Sequence, residues 1–181
     1  MPAMTALPFR PDGWTVDDLD ELPDDGYRYE LIDGAVLVSP PPELLHQYLT
    51  GRLVAMLSMQ LPESHRAAPA PGLYFDPRNY RIPDVVVFRR ERLAGGRLGP
   101  KDVLLAVEVV SPGSVRMDRV AKPAQYAAGG IRHLWRVELD PLELVTHELR
   151  EGVYRETGRY AGDVEVAAPV PLSFRLPDLI T

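Results

Sequence analysis

The chain contains no cysteine, which removes disulfides and cysteine-ligated zinc and leaves nothing that points to an oxidising compartment. It has only two lysines, Lys101 and Lys122, so almost all of its positive charge is arginine. No apolar run approaches the roughly 20 residues of a membrane helix, and Met1 to Arg10 lacks the basic start and apolar stretch of a signal peptide. A soluble cytoplasmic protein with no membrane contact is the expectation. Several chemistries lack their motifs as well. No Gly-x-Ser-x-Gly elbow supports a serine hydrolase, and no His-Glu-x-x-His supports a zinc protease. The glycine-rich run from Gly95 to Lys101 lacks the spacing of a phosphate-binding P-loop and its terminal Ser or Thr. The four histidines are too scattered to form a zinc site.

What is present fits one soluble domain: 181 residues, 45% hydrophobic and 25% charged, enough to bury one substantial core. The net charge of −6 argues against a nucleic-acid partner until its distribution is considered. Residues 1 to 35 hold nine acidic side chains against Arg10 and Arg28, leaving 18 basic and 17 acidic side chains in the remainder. Residues 1–26, rich in Pro, Asp and Gly, read as an irregular acidic lead-in with a short helix near Thr15, Asp17 and Asp18, and residues 27–181 as a single domain.

Along that domain, two β-rich runs flank Asp33-Gly34, a dipeptide suited to a tight hairpin because both residues tolerate positive φ. Leucines at 45, 49, 53, 57 and 61, with Tyr48 and Met56 beside them, predict a long helix with one apolar stripe. Gly72 to Phe75, Asp84 to Phe88 and Val103 to Val110 read as strands, the last two as a long-looped antiparallel pair. A helix is expected from Met117 to Ala128, stopped by Gly129-Gly130. Pro123 is tolerated there only in a first turn, so the regular part starts near Ala121 or Lys122. His133 to Leu139 is a further strand, Leu142 to Leu149 and Val153 to Thr157 make a hairpin around Glu151-Gly152, and Val170 to Ile180 is a Pro-punctuated extension. The expected fold class is α/β, a mixed sheet flanked by helices.

One carboxylate, Glu108, interrupts the apolar strand Leu104 to Val110. A buried charge costs several kcal/mol unless it meets a cation, a metal or water, so Glu108 serves either a site or a structural ion pair. Asp84 opens the neighbouring strand directly after Pro83. Antiparallel pairing sets the start of one strand beside the end of the other, placing Asp84 and Glu108 together as hard-oxygen donors suited to Mg²⁺ or Mn²⁺. Phosphodiester hydrolysis also needs a nearby cation. The position sharing a face with Glu108 is Val110, which leaves Lys122, at the start of the following helix, as the candidate to orient water or stabilise developing charge.

The ordered set Tyr29-Glu-Leu-Ile-Asp-Gly34, Pro83-Asp-Val-Val-Val87, Glu108-Val-Val-Ser-Pro112 and Asp118-Arg-Val-Ala-Lys122, with Tyr126 and Gly130-Ile131, resembles the Uma-two-type restriction endonucleases. That family looks like a branch of the PD-(D/E)XK nuclease superfamily, and the likeness spans roughly residues 15 to 175. It implies a restriction-endonuclease-like mixed β-sheet flanked by helices, with an added N-terminal hairpin and a C-terminal β extension. It also implies a metal-dependent endonuclease acting on nucleic acid, with DNA as the expected substrate, and a homodimer. Asp84 and Glu108 would bind metal, Glu30 would be a further acidic catalytic residue, Lys122 would replace the lysine missing at Val110, and His46 would be an accessory residue. Pro123 and the stretch Arg136-Val-Glu138 depart from the family pattern. Two alternatives stand beside this reading. One is a non-catalytic module binding nucleic acid or protein, its carboxylates paired to Arg81, Arg116 or Arg119; the other is a metal-dependent hydrolase with a different substrate.

Overall fold

The computed structural model describes residues 7–111 and 117–181, with Asp118 and Arg119 described in backbone only. In chain order its regular elements begin with β1 (Arg28–Ile32), β2 (Ala35–Ser39), α1 (Leu44–Gln60), β3 (His65–Pro69), β4 (Leu73–Asp76), β5 (Asn79–Arg81), β6 (Val85–Arg89) and β7 (Val103–Val110). One π-helical turn, Met117–Ala121, then runs into α2 (Lys122–Ala128). The chain continues through β8 (His133–Leu139), β9 (Leu142–Arg150), β10 (Val153–Tyr160), β11 (Asp163–Val166) and β12 (Leu172–Arg175).

A six-stranded sheet, in the order β10-β9-β8-β7-β6-β3, forms the centre. Its pairs are antiparallel except β7 with β8, which are parallel and connected through α2, so the sheet is mixed. Alternation along the central strands divides the core. Val85, Val87, Leu105, Val107 and Val109 pack with Leu49, Leu53 and Leu57 of α1 and with Leu172 and Leu176 of the C-terminal segment. Val86, Phe88 and Ala106 pack with Tyr126 and Ile131 on the α2 side. Each fully buried leucine of α1 contributes about 1.5–3 kcal/mol, which explains why a helix with no side-chain N-cap is nonetheless held.

A second sheet, β2-β1-β5-β4, carries the N-terminal hairpin, and β11 with β12 makes a third, two-stranded one. The hairpin turns at Asp33 and Gly34, with φ of 50° and 80°, as the dipeptide predicts. Trp14 donates its backbone N–H to the Gly34 carbonyl, and the Trp14 and Val16 side chains pack on Leu31. The second hairpin turns at Glu151 and Gly152, both also at positive φ. Pro123 is the second residue of α2, directly after the π-helical turn, so it stands where the helix changes from π to α.

One expectation is revised, one strand was not foreseen, and the C-terminal extension is borne out. Leu45 and Tyr48, read as part of the α1 stripe, are exposed, because the buried face follows His46, Leu49, Thr50, Leu53, Met56 and Leu57. Strand β3 was not expected: His-Arg-Ala-Ala-Pro has no β-branched residue, and it is a strand because its backbone pairs with β6 along the sheet edge. The expected C-terminal extension contains β12, which pairs with β11. Among the described residues, no helix is long and apolar enough to cross a membrane.

Candidate active site

The register of the central pair opposes Val85 to Val107, so Asp84, one residue before β6, lies beside Glu108 and Val109 at the end of β7. The backbone N–H of Val109 donates to Asp84 Oδ2 over 2.8 Å. Asp84 is 3% exposed and Glu108 fully buried. The two carboxylates thus share a sheet end because antiparallel pairing brings that start and that end together.

Each carboxylate meets donors from other elements. Glu108 Oε2 accepts a hydrogen bond from Lys122 Nζ at 2.7 Å, and its Oε1 accepts one from the Tyr126 hydroxyl. Lys122 and Tyr126 are four residues apart in α2, so one helix face delivers both. Asp84 Oδ1 accepts from Arg28 Nη1 at 3.0 Å, and Oδ2 from His46 Nε2 at 3.1 Å, near the start of α1. Glu30 shares a face of β1 with Arg28. Its Oε1 accepts the backbone N–H of Ile82 at 2.8 Å, fixing the segment that enters Asp84. His46 Nδ1 is buried with no hydrogen-bond partner among the described residues.

Two comparisons bear on this arrangement. A solved structure of a putative nuclease belonging to DUF820 from Anabaena variabilis aligns with a TM-score of 0.70 at 20% identity, covering 92% of this chain and 97% of that one. The fold is shared. A family model described as a putative restriction endonuclease matches residues 16–177. The chain belongs to the Uma2 family. No curated protein sequence matches it.

In this Uma2 chain the residues singled out from sequence fall into two groups. Lys122 pairs with Glu108 and His46 with Asp84, the two pairs lying side by side at the sheet end, whereas Glu30 acts on the backbone beside Asp84. Val110 stands opposite Glu138 of β8, which pairs with Arg136 at 2.7 Å, so the unusual Arg136-Val-Glu138 stretch forms its own ion pair. Of the arginines expected as structural partners, Arg116 and the Arg119 side chain lie outside the described residues. Arg81 pairs with no carboxylate among them; the arginine on Asp84 is Arg28. Sequence reasoning missed Arg28 and the role of Tyr126. Both carried a signal: Arg28 alternates with Glu30 along a strand, and Tyr126 follows Lys122 by one helical turn.

Burial alone would raise the Asp84 carboxyl. The His46 hydrogen bond, the Lys122 charge, the His46 charge and the Val109 amide together outweigh it and bring the pKa down to about 2. Asp84 is therefore a permanent carboxylate near neutral pH. Burial, then the neighbouring Glu108 charge, push the Tyr126 phenol well above its ordinary value, so it remains a proton donor to Glu108.

The donor set fits a hard divalent cation. Among the described residues no group of three or more His, Asp or Glu is placed to hold a metal, but Mg²⁺ is commonly bound by one or two carboxylates, keeping several waters. Asp84 and Glu108 supply those two.

Proposed function

We propose that this Uma2 chain is a divalent-metal-dependent endonuclease that hydrolyses phosphodiester bonds in nucleic acid, with DNA as its substrate. The observation that carries the reading is the pair of buried carboxylates, Asp84 and Glu108, at one sheet end with the Lys122 ammonium 2.7 Å from one of them. A buried acidic pair of this kind is costly unless a cation justifies it.

Asp84 and Glu108 would hold Mg²⁺ or Mn²⁺, which supplies Lewis-acid polarisation of a phosphoryl oxygen and a more acidic bound water. Asp84 stays ionised because His46 and Val109 hydrogen-bond its charged form. Tyr126 fixes the orientation of Glu108 through Oε1. Lys122 balances Glu108 charge in the free protein and is the ammonium that would meet a phosphate oxygen where negative charge grows. Glu30 holds the Ile82 amide, so the Asp84 segment cannot drift, and His46 Nδ1 offers a buried polar atom to water or substrate.

The test is relaxation of supercoiled plasmid by purified protein in Mn²⁺, in Mg²⁺ and in chelator, beside Glu108→Ala prepared identically. Metal-dependent nicking that disappears in the variant is expected; equal nicking by the variant would reject the assigned site. A second reading, a non-catalytic binding module on the same fold, draws on the protein cations that already meet both carboxylates. It requires the plasmid to stay intact in every metal.

A further inference from the structure

Behind α2 lies a cleft of about 870 Å³, on the side away from Glu108. Lys122 and Tyr126 face the carboxylates, while Ala121, Ala124 and Gln125 of the same helix line the cleft. The two spaces share a wall, because Phe75 lines the cleft and stacks on Tyr126 with ring centroids 6.1 Å apart and planes 6° from parallel. The size suits a small organic ligand, which typically occupies about 300–1,000 Å³.

Arg81 is the unusual member of the lining. It is 1% exposed, yet no carboxylate among the described residues lies within ion-pair distance of it. Its Nε donates to the Gln125 side-chain oxygen, and its Nη1 makes only a long, weak contact of 3.8 Å with Met117 Sδ. A buried guanidinium is normally balanced by an anion, and its planar fork matches carboxylate and phosphate oxygens. The carboxylates lining the cleft are engaged elsewhere and none is within ion-pair distance of Arg81: Asp33 accepts from Asn79, Asp76 from Asn79 and the Arg78 amide, and Asp102 from the Gly99 amide with Arg92 Nε 3.3 Å away. Tyr74 and Phe75 supply aromatic wall, with Arg97 over the Tyr74 ring at 5.3 Å, and Lys101 stands exposed at the rim. Aromatic faces beside a cation are the chemistry that takes up a nucleobase and its phosphate.

We propose that this cleft is a nucleotide-binding subsite, in which Arg81 receives a phosphate and the Tyr74 and Phe75 wall receives the base. It deepens the nuclease reading, on which its assignment to a substrate strand rests, because a nucleotide held here sits across α2 from the carboxylates. The same chemistry would serve a free mononucleotide.

The experiment is calorimetric titration of the full chain in chelator with deoxyadenosine monophosphate, deoxyadenosine and inorganic phosphate, together with fluorescence anisotropy of a short labelled single strand. Working without metal separates the two readings: plasmid nicking can fail while nucleotide binding holds, and the reverse. The monophosphate is expected to bind, with deoxyadenosine, inorganic phosphate, Arg81→Met and Ala124→Trp each weakening binding by about tenfold or more. Ala124 is exposed on the helix, so Ala124→Trp fills the cleft without entering the core and keeps the test decisive if Arg81→Met does not fold. Parallel loss of strand affinity in the variants would identify the ligand as a nucleotide of the substrate; loss confined to the monophosphate would identify a free nucleotide. No binding of the monophosphate, or binding that both variants leave intact, would overturn the proposal, as would inorganic phosphate binding as tightly as the nucleotide.

Discussion

Lys122 Nζ lies 2.7 Å from Glu108 Oε2, across 14 residues of chain, and both side chains are buried. A cation absent from the strand at Val110 is thereby returned to the same carboxylate from the next helix.

Removing one partner of this pair takes a full counter-charge away from the other, which stays buried. Lys122→Met is expected to cost about 3 kcal/mol of unfolding free energy in chelator, by urea denaturation. The double variant Lys122→Met with Glu108→Gln is expected to recover much of that loss. Strictly additive losses would mean that the two groups do not act as a pair.

Asp84 gives the protein an acid limb of defined sign. Its carboxyl sits at about 2 when folded against an ordinary value of 3.8, so the unfolded chain takes up the proton first. The stabilisation, about 2 kcal/mol, is therefore complete above about pH 4 and is lost as the pH falls towards 2. Denaturation between pH 2 and 6 is expected to show a flatter acid limb in Asp84→Asn. In His46→Gln, carbon NMR is expected to place the Asp84 titration higher; an unmoved titration would show that the His46 hydrogen bond contributes nothing.

Gly129 is needed for a steric reason. A Cβ there would lie 2.7 Å from Phe75 Cε1 and 3.1 Å from Pro100 Cβ, and Phe75 cannot yield freely because it stacks on Tyr126. Gly129→Ala is expected to cost about 1–3 kcal/mol and to lower nicking by disturbing α2. Gly130→Ala faces open space at φ +79° and is expected to cost about 1 kcal/mol through backbone strain alone. Thermal melts of the two variants compare these costs, and an unperturbed Gly129→Ala would contradict the packing described.

Much of this was legible because local chemistry and global fold agree. Asp33-Gly34 and Glu151-Gly152 mark turns whose φ values they adopt, and the leucines at 49, 53 and 57 mark the face that α1 buries. Glu108 stands out as an acid inside an apolar strand, a placement that requires a partner. What stayed hidden depends on contacts distant in sequence. His65–Pro69 is a strand only through the backbone of β6, and Arg28 reaches Asp84 across 56 residues. The cleft at Arg81 is assembled from β4, β5, α2 and the loop before β7, which no sequence period connects.

The most direct test is titration of Mn²⁺ into the metal-free protein, followed by paramagnetic resonance of the free ion, for wild type, Asp84→Asn and Glu108→Gln, each shown to be folded. The account predicts saturable binding in the wild type and its loss in both single variants, since the two carboxylates form one site. Binding unchanged in either folded variant would contradict the site at the centre of the account.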